Sequence, residues 1–471
     1  MIADLKPYPE YKESGSTWIG MVPRHWNVTP NRALFEEVKD RNHPDEEMLS
    51  VTITRGIIRQ KALLSETSKK DSSNLNKSAY KLVQPGDLAY NKMRAWQGAF
   101  GASEFRGIIS PAYVVMRPRE GCNPAFYHHL YRTPLFQKEA ERWSYGITSD
   151  MWSLRPEHFK VIYSVLPPSS EQASIVRFLD WANGRLERAI RAKRKVIALL
   201  HEQKQAIIHK AVTQGLDPNV PKRDSGIPWL GEIPSHWEVP RVKQCARKIS
   251  KGTTPSTEGR EILEQGPVRF LKAENIVNGR LTNKPLCFID ETTHEMIRRS
   301  QLSEGDVLFV IAGATLGKTA IVPAEILPAN TNQAVSFIRP NGRVTSQFLE
   351  TWLQSKRIKQ LVWLNAVQSA QPNLSMGDLG NFRCPVPPIE VQQDILSQLE
   401  QDTAPLTTAI DRYEREITLL REYRTRLVAD VVTGKLDVRE AALSLPEEDV
   451  VQAPEDLVDE TEEHDLEEGE D

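Results

Sequence analysis

The sequence lacks the features that would place the chain in a membrane, in an oxidising compartment or around a zinc ion. No apolar run approaches the roughly 20 residues that are needed to cross a bilayer. The N-terminal segment has no apolar signal core. The four cysteines are far apart and form no CxxC pair, which argues against a zinc site or a disulfide framework. These absences predict a soluble protein of a reducing cytoplasm.

Motifs of catalysis are also scarce. Residues 311–319, IAGATLGKT, resemble a phosphate-binding loop, but the β-branched run TAIVPAE follows where such a loop would open a helix. NPAF at 123–126 lacks the second proline of an amino-methyltransferase motif. The adjacent His128 and His129 have no carboxylate or cysteine set near them, which favours a structural role. We therefore expect a non-catalytic protein with no metal site, and a nucleotide hydrolase is kept as a remote alternative.

Charge is distributed unevenly along the chain. Residues 446–471 contain 14 Asp or Glu and no Lys or Arg, whereas the rest carries 60 basic against 49 acidic residues. A basic body with an acidic tail is compatible with nucleic-acid binding. The tail itself has the composition of a solvated, disordered segment.

What the sequence does contain is a duplication. SGSTWIGMVPRHWNV (14–28) and SGIPWLGEIPSHWEV (225–239) are identical at eight of fifteen positions and lie 211 residues apart. Four further pairs of similar segments follow in the same order: 84–92 with 303–311, 111–118 with 333–340, 165–179 with 385–399, and 211–217 with 431–437. Residues 14–217 and 225–437 are therefore two copies of one unit, rather than a short solenoid repeat.

Each copy consists of a β-rich part and a long helix. Runs such as DVLFVIAG and AVSFIRP predict short strands, and about 40 residues after the paired prolines predict a helix that is on the order of 60 Å long. The apolar residues of these helices alternate at spacings of four and three, which is typical of a coiled-coil seam. The seam comprises Leu186, Ile190, Ile197, Leu200 and Ile207 in the first copy and Leu406, Ile410, Ile417, Leu420 and Leu427 in the second.

The expected fold is mixed α/β: two similar domains joined by two long antiparallel coiled-coil helices in a pseudo-two-fold tandem duplication. The alternative is that each helix packs on its own globular part. SSEQ (169–172) predicts a capping box at the first helix start. The second copy keeps Gln392 but has Ile389 at the cap position. We expect the repeated Trp18, Trp26, Trp229 and Trp237 to bury their rings where each domain joins the helices.

Several loops combine Lys or Arg with Asn, Gln, Ser or Thr, the residue types that contact phosphates and base edges of DNA. Any one such loop is more often plain surface, but their recurrence in both copies raises the joint expectation. The candidates are Lys69, Lys70, Asn74, Asn76, Lys77, Lys92, Arg94, Gln97, Lys251, Thr253, Thr254, Ser256, Lys272, Asn275, Arg280, Gln368 and Gln371.

Taken together, the motifs resemble those of type I restriction–modification specificity subunits. The resemblance covers residues from about 11 to 440 and includes the duplicated SG-x-x-W motif, GDLAYNKMRAWQGAFG with SPAYVV, KGTTPST, and LPPSSEQ before a long helix. One departure is Val391 where the first copy has Glu171. The acidic tail is another, because it lies outside the resemblance.

The resemblance implies the following domains: a first target recognition domain at 11–167, a central helical region at 168–222, a second recognition domain at 223–387, a C-terminal helical region at 388–445, and the acidic tail at 446–471. Each recognition domain would read one half of a split, asymmetric double-stranded DNA site. The helices would set the half-site separation and dock two methyltransferase subunits. Two motor-nuclease subunits would complete the complex. S-adenosylmethionine, ATP and magnesium would belong to these partners. A recognition subunit of a related DNA-methylation or phage-defence complex, and a coiled-coil scaffold with no DNA role, are the alternatives.

If the helices act as a ruler, their length and not the recognition domains sets the spacing of the half-sites. We expect removal of one turn from both long helices to change the number of unread base pairs between the half-sites and to leave the half-sites unaltered. Sequencing of methylated host DNA measures both quantities, and an unchanged spacing would refute the ruler.

Overall fold

The structure is a computed structural model that describes residues 5–62, 77–146, 151–366 and 372–446. The chain forms two compact units, Met1–Lys193 with Arg415–Asp471, and Arg194–Glu414. Each unit contains one β-rich part and portions of both long helices. The predicted mixed α/β fold is confirmed, whereas the predicted domain boundaries stay a prediction. The acidic tail, apart from Pro446, lies outside the described residues.

In the first unit, a four-stranded antiparallel sheet with the strand order β4-β11-β8-β9 is the largest sheet. The strands are β1 (Tyr11–Glu13), β2 (Met21–Pro23), β3 (Asn27–Pro30), β4 (Phe35–Val38), β5 (Leu49–Thr52), β6 (Gly56–Arg59), β7 (Lys81–Val83), β8 (Leu88–Asn91), β9 (Phe100–Ala102), β10 (Gly107–Ile109), β11 (Tyr113–Pro118) and β12 (Tyr163–Leu166). The helices are α1 (Asn31–Leu34), α2 (Pro124–Tyr131), α3 (Pro134–Arg142) and α4 (Pro156–Val161), with a 3-10 turn at Ala95–Gln97.

The first long helix is α5 (Ser169–Gln214). The second unit then repeats the sheet with the order β15-β23-β20-β21. Its strands are β13 (Lys222–Asp224), β14 (Glu232–Pro234), β15 (Ala246–Lys251), β16 (Val268–Leu271), β17 (Ile276–Val277), β18 (Arg280–Leu281), β19 (Phe288–Ile289), β20 (Val307–Val310), β21 (Thr319–Ile321), β22 (Ala329–Thr331) and β23 (Val335–Pro340). Its helices are α6 (Glu291–Met296), α7 (Ser346–Leu353), α8 (Lys356–Asn365), α9 (Met376–Asn381) and α10 (Ile389–Val432), and α11 (Arg439–Leu443) returns to the first unit.

Each of the two four-stranded sheets contains an Asp–Arg ion pair. Its aspartate directly precedes β8 in the first sheet and β20 in the second. Arg117 on β11 donates to both oxygens of Asp87, at 2.9 and 3.0 Å. Arg339 on β23 donates to Asp306 in the same way, at 2.7 and 2.8 Å. Each aspartate also accepts from the backbone N–H three residues earlier. Because both carboxylates are almost completely buried, these bonds satisfy charges that could not be left unpaired.

The seam of the long helices is antiparallel within the first unit. Glu187 of α5 contacts Arg424 of α10 at 3.3 Å, and Lys193 of α5 lies 2.5 Å from Glu416 of α10. A later residue of α5 therefore meets an earlier residue of α10, which shows that the two helices run antiparallel. In the second unit, Lys204 Nζ donates to Thr407 Oγ1 at 2.8 Å. Polar residues inside a seam favour one register over its neighbours. All ten apolar seam residues named above are buried or half-buried.

The predicted capping box at the start of α5 does not form, because Gln172 has other partners. Its amide nitrogen donates to the carbonyls of Gly121 and Pro167, and its Oε1 accepts from the N–H of Asn123. The Pro168 carbonyl instead accepts the first helical N–H groups, at 2.9 Å. The glutamine therefore connects the β-rich part of the first unit to the helix and does not cap the helix.

Gln392 makes the same set of bonds in the second unit. It accepts from the N–H of Thr345 and donates to the carbonyls of Arg343 and Pro387. Asn123 and Thr345 are themselves the side-chain N-caps of α2 and α7. Since no side chain at 169 or 389 is needed for the cap, the change from serine to Ile389 is harmless.

The second tryptophan of each repeated motif, Trp26 or Trp237, packs against a glycine at the C-terminal end of a long helix. Trp26 and Trp237 are almost completely buried, Trp18 is nearly so, and Trp229 is half-buried. A Cβ atom at Gly215 would lie 3.3 Å from Cζ2 of Trp237, and one at Gly434 would collide with Pro23 and Trp26. Both glycines also have a positive φ, 77° and 78°.

Replacement of Gln392 should destabilise the second unit, because its side chain is buried and bonds to three backbone groups. We expect Gln392→Ala to lower the free energy of unfolding by about 2–4 kcal/mol, because one buried N–H group and two carbonyls lose their partners. The neighbouring Gln393→Ala, at an exposed position of the same helix turn, is the control and should be neutral. Urea denaturation measures the difference, and equal effects of the two variants would contradict the assignment.

Candidate nucleic-acid interface

The two units differ where their common sheet is interrupted. Residues 39–84 run from the end of the edge strand β4 towards β8, and residues 251–303 run from the end of the edge strand β15 towards β20. These two segments are here called the first and second inserts. In the first insert β5 and β6 form a hairpin, and β7 pairs antiparallel with β10. In the second insert β16 pairs parallel with β22 and antiparallel with β19. One frame therefore carries two differently folded inserts.

Most candidate contact residues lie in these inserts. Those of the first insert are Lys69, Lys70, Asn74, Asn76 and Lys77; those of the second are Lys251, Thr253, Thr254, Ser256, Lys272, Asn275 and Arg280. Six of the candidates, Lys69, Lys70, Asn74, Asn76, Gln368 and Gln371, lie outside the described residues. The remaining candidates are Lys92, Arg94 and Gln97, in the loop that joins β8 to β9.

In the first unit the described loops meet at a basic cluster. The backbone N–H of Asn42 donates to the Ser78 carbonyl at 3.1 Å, and the N–H of Leu82 donates to the Asp40 carbonyl at 2.8 Å. These bonds hold the loop after β4 beside the loop that leads into β7. The basic cluster, defined as Lys39, Arg41, Lys81 and Lys92, is built from these two loops and the start of the β8–β9 loop.

Lys81 is the buried member of the basic cluster. Its Nζ donates to the carbonyl oxygen of Tyr113. Burial lowers the pKa of Lys81, and the positive charges of Lys92, Arg41 and Lys39 act in the same direction, whereas Glu37 opposes them. Lys39 also contacts Glu37 at 3.3 Å. The cluster contains four basic side chains, and Glu37 is the carboxylate that contacts it through Lys39. The excess positive charge offers a favourable place for phosphate groups.

The β8–β9 loop of the first unit combines polar and aromatic side chains. Arg94 donates to the side-chain oxygen of Gln97 at 3.2 Å, and both side chains are half-exposed. The Trp96 ring packs at 5.6 Å from the ring of Trp152, and its Nε1 donates to the Met93 carbonyl at 3.0 Å. Trp96 is therefore a half-buried packing residue of this loop.

In the second unit Lys251 occupies the place that Lys39 has in the first. Lys251 is the last residue of β15 and pairs with Ser336 of β23, whereas Lys39 directly follows β4, whose last residue Val38 pairs with Val115 of β11. Gly252 follows in close contact with the backbone of Thr331, where no Cβ fits. Thr253 and Thr254 are half-exposed, and Lys251 and Ser256 are exposed.

Two exposed arginines extend this basic edge. Ser250 Oγ donates to the Arg299 carbonyl at 3.1 Å, which brings Arg298 and Arg299 beside β15. Burial lowers the pKa of Lys248 on the same strand, and the charges of Arg339 and Arg299 add to the effect, although Asp306 opposes it. The second unit therefore also has positive charge concentrated along its edge strand.

The other candidates of the second insert differ in accessibility. Asn275 is completely buried, and its side chain bonds to the N–H of Lys272 and the carbonyls of Thr282 and Pro285. Asn275 thus shapes its loop and has no free amide to offer. Lys272 is half-exposed and Arg280 is exposed. Arg280 lines a cavity of about 400 Å³ together with Arg269.

The segment that resembles a phosphate-binding loop is a β-hairpin connection. Residues 311–318 join β20 to β21, which pair antiparallel. The Gly313 N–H donates to the Pro372 carbonyl at 3.1 Å, and Lys318 leads into a strand. The loop is therefore followed by a strand and not by the helix that opens after a phosphate-binding loop.

His128 and His129 have structural partners. Nδ1 of His128 lies 3.3 Å from the backbone nitrogen of Ala102, which identifies it as an acceptor. Burial lowers the pKa of His128, and the nearby Arg132 and His129 add to this effect. His129 contacts Asp180 at 3.4 Å. Within the described ranges no group of three His, Cys, Asp or Glu residues is arranged to hold a metal ion. No helix in those ranges has the length and apolarity of a membrane span.

Five basic residues at these edges are not among the candidates from the sequence: Lys39, Arg41, Lys81, Arg298 and Arg299. Lys81 stands between Tyr80 and Leu82 at the end of a polar stretch, and the two arginines belong to the short polar run RRSQ at 298–301. The duplication itself contains a usable signal for Lys39. Aligning KDRNHP (39–44) with KGTTPS (251–256) would have placed it at the same strand end as Lys251.

Comparison with known proteins finds relatives of one kind. Residues 234–418 match the family model of the type I restriction modification DNA specificity domain. The putative MjaX specificity subunit of Methanocaldococcus jannaschii is 23% identical over 91% of this chain and 98% of its own length. The MjaVIII specificity subunit of the same organism is 26% identical over 60% of this chain, which spans 64% of that relative's length. The EcoBI specificity subunit of Escherichia coli is 25% identical over half of each chain.

A solved structure supports the fold. A chain from a study of complex assembly and conformational transition in a type I restriction–modification system superposes with a TM-score of 0.63. It covers 88% of this chain and 99% of its own length at 15% identity, so this likeness bears on the fold alone. Residues 234–418 therefore match a type I restriction modification DNA specificity domain, and the chain as a whole is similar to type I restriction–modification specificity subunits.

Proposed function

We propose that this chain is the DNA-reading, non-catalytic subunit of a type I restriction–modification complex, and that each of its two units reads one half of a split site. The observation that supports this most directly is the common sheet frame that carries two different inserts. A frame that is kept in both units needs to fit the same helices and partners. Inserts that differ in fold are suited to recognise different bases, so the two half-sites should differ.

The chemistry of the inserts suits a division between phosphate and base contacts. Lys39, Arg41 and Lys92 of the basic cluster, and Lys251 with Arg298 and Arg299, carry charge that would contact phosphates and give affinity that falls with salt. The hydroxyl and amide side chains of the insert loops can donate to and accept from base edges. We therefore assign the sequence readout to the inserts and the orientation on the duplex to the basic edges.

The partners follow from the same proposal. The long helices would dock two methyltransferase subunits, and two motor-nuclease subunits would join the full complex. S-adenosylmethionine, ATP and magnesium would be bound by those subunits and not by this chain. The polar pairs inside the seam, such as Lys193 with Glu416, would keep the helices in one register, which a spacer between two DNA readers requires.

An exchange of recognition domains within the chain tests the central claim. The repeated frame offers matched junctions, since residues 24–166 and 235–386 both begin after the repeated Pro of the motif and end before the paired prolines. We expect a chain that carries residues 235–386 in both places to direct methylation to a site with two copies of one half-site. Single-molecule sequencing of methylated DNA identifies the site. An unchanged site would refute the two-reader proposal.

Charge removal tests the phosphate contacts. We expect the double variant Lys39→Gln, Arg41→Gln to weaken binding of target DNA by the complex assembled with its methyltransferase. The slope of log affinity against log salt should also become shallower by about 2, one for each lost contact. Lys138→Gln, at an exposed position on α3 of the same unit, is the charge-matched control. If the control variant lost as much affinity and slope per charge, the basic cluster would have no special role.

A further inference from the structure

In the first unit, two segments that are far apart in sequence form one layer. Residues 5–24 pack on residues 431–445, and Lys6 forms a β-bridge with Asp437 whose N–H donates to the Lys6 carbonyl at 2.8 Å. The Tyr11 hydroxyl donates to the Lys435 carbonyl at 3.2 Å. The end of α10 and the repeated tryptophan motif are therefore joined here only by non-covalent contacts.

The second unit builds the corresponding layer from continuous chain. Residues 211–239 run from the last turn of α5 through β13 and β14 to the repeated motif. The pairing of β13 with β14 repeats the pairing of β1 with β2. The N–H of Ser235 donates to the Pro221 carbonyl at 2.8 Å, as the N–H of Arg24 donates to the Glu10 carbonyl at 3.0 Å. In the second unit a single continuous segment therefore forms the layer that two separate segments form in the first unit.

A buried carboxylate lies where the two segments of the first unit meet the start of α5. Glu171 is 4% exposed. Its Oε1 accepts from the Tyr8 hydroxyl, and its Oε2 lies 2.8 Å from Nε2 of His25. The guanidinium of Arg439 stacks 5.1 Å from the centre of the Tyr8 ring and contacts Asp437 at 2.6 Å. The cluster of Tyr8, His25, Glu171, Asp437 and Arg439 therefore joins three separate stretches of chain: the N-terminal segment, the start of α5 and the segment after α10.

The protonation of this cluster favours its bonds. Burial and the hydrogen bond to Glu171 raise the pKa of Tyr8, so its hydroxyl keeps the proton that it donates. Burial opposes ionisation of Asp437, but the hydrogen bonds from Arg439 outweigh it and lower the pKa of Asp437. A buried carboxylate with a hydroxyl donor and a cation nearby holds its neighbours strongly, because losing a partner leaves a charge without compensation.

The second unit lacks the centre of this cluster, although the exposed Asp217 matches Asp437. Val391 stands where Glu171 is in the first copy, and Asn219 stands where Tyr8 is. His236, which matches His25, is exposed. The difference between the copies therefore coincides with the difference between continuous and interrupted chain.

We propose that Glu171 is the centre of a non-covalent clasp, which replaces the peptide continuity of the second unit and positions the first recognition domain on the helices. The positioning part of this inference rests on the proposed function, whereas the clasp itself does not. In this role Glu171 is a positioning residue and touches no DNA.

Hydrogen exchange of the full chain tests the clasp without DNA. Glu171→Val installs the residue of the second copy. We expect the amides of Arg24 and Asp437 to exchange at least about ten-fold faster, the size of effect that follows when a hydrogen bond to a buried charge is lost. The amide of Ser235, the counterpart of Arg24, is the internal reference and should not change. Tyr8→Phe, which removes a single oxygen, should accelerate the same two amides and keeps the test available if Glu171→Val does not fold.

The matched control is Glu390→Ala, an exposed acidic residue in the first turn of α10. Like Glu171→Val, this variant removes an acidic side chain from the first turn of a long helix, and with it a favourable interaction with the helix dipole. It leaves the cluster around Glu171 intact. Equal acceleration of Arg24 and Asp437 in the control, or equal acceleration of Ser235 in Glu171→Val, would overturn the clasp. The double variant with Tyr8→Phe should add little to Glu171→Val, because both remove one interaction.

A methylation assay with the partner subunits tests the positioning role. We expect Glu171→Val to relax the discrimination at the half-site read by the first recognition domain and to leave the other half-site unaffected. Faster exchange with an unchanged first half-site would overturn the positioning role. A wild-type complex that reads no split site would instead contradict the proposed function, so the two failures are distinguishable.

Discussion

Two buried glutamine amides determine how the rest of this molecule is arranged. Gln172 and Gln392 stand on the first turn of a long helix, and each joins that helix to the loop ahead of a short helix in the recognition domain. An amide is suited to this place because it donates and accepts at once without a charge that would need compensation. Each recognition domain is therefore held to its helix at a defined point, and the sheet and inserts follow from there.

The frame that extends from these points separates structural from specific residues. The buried Asp–Arg pairs, the glycine–tryptophan contacts and the sheet order occur in both units with the same partners. The inserts share neither pairing nor topology. For the function proposed above this separation is useful, because a change in an insert would leave the docking frame undisturbed.

The duplication is not perfectly symmetric, and the asymmetry has a physical cause. Where the chain is continuous, covalent bonds maintain the contact between helix end and domain. Where two segments meet, a buried carboxylate with its hydroxyl and imidazole partners provides specific contacts instead. Glu171 and Val391 are therefore not interchangeable, although they occupy the same position of the repeat, since the charge is useful only where it finds partners.

The amino-acid sequence by itself determined the duplication, the resemblance to a family, the long helices and the positions of their seam. These features are written in local periodicity and in repeated motifs, which can be read without knowing what lies nearby in space. The mixed α/β fold followed from the same signals. The burial of the paired tryptophans also agrees with the interpretation of the motif as part of the frame.

Only the tertiary structure decided the partners of individual polar side chains. Gln172 reads as a capping residue in sequence, yet it bonds to a loop some 50 residues away. Asn275 reads as a solvent-facing loop amide, yet neighbouring backbone groups enclose it. Lys81 stands at the end of a polar stretch, yet its Nζ bonds to the Tyr113 carbonyl, and the clasp unites residues from both ends of the described chain. A polar residue has the same sequence pattern whether water or protein satisfies it, because the choice depends on which distant backbone groups folding brings within reach.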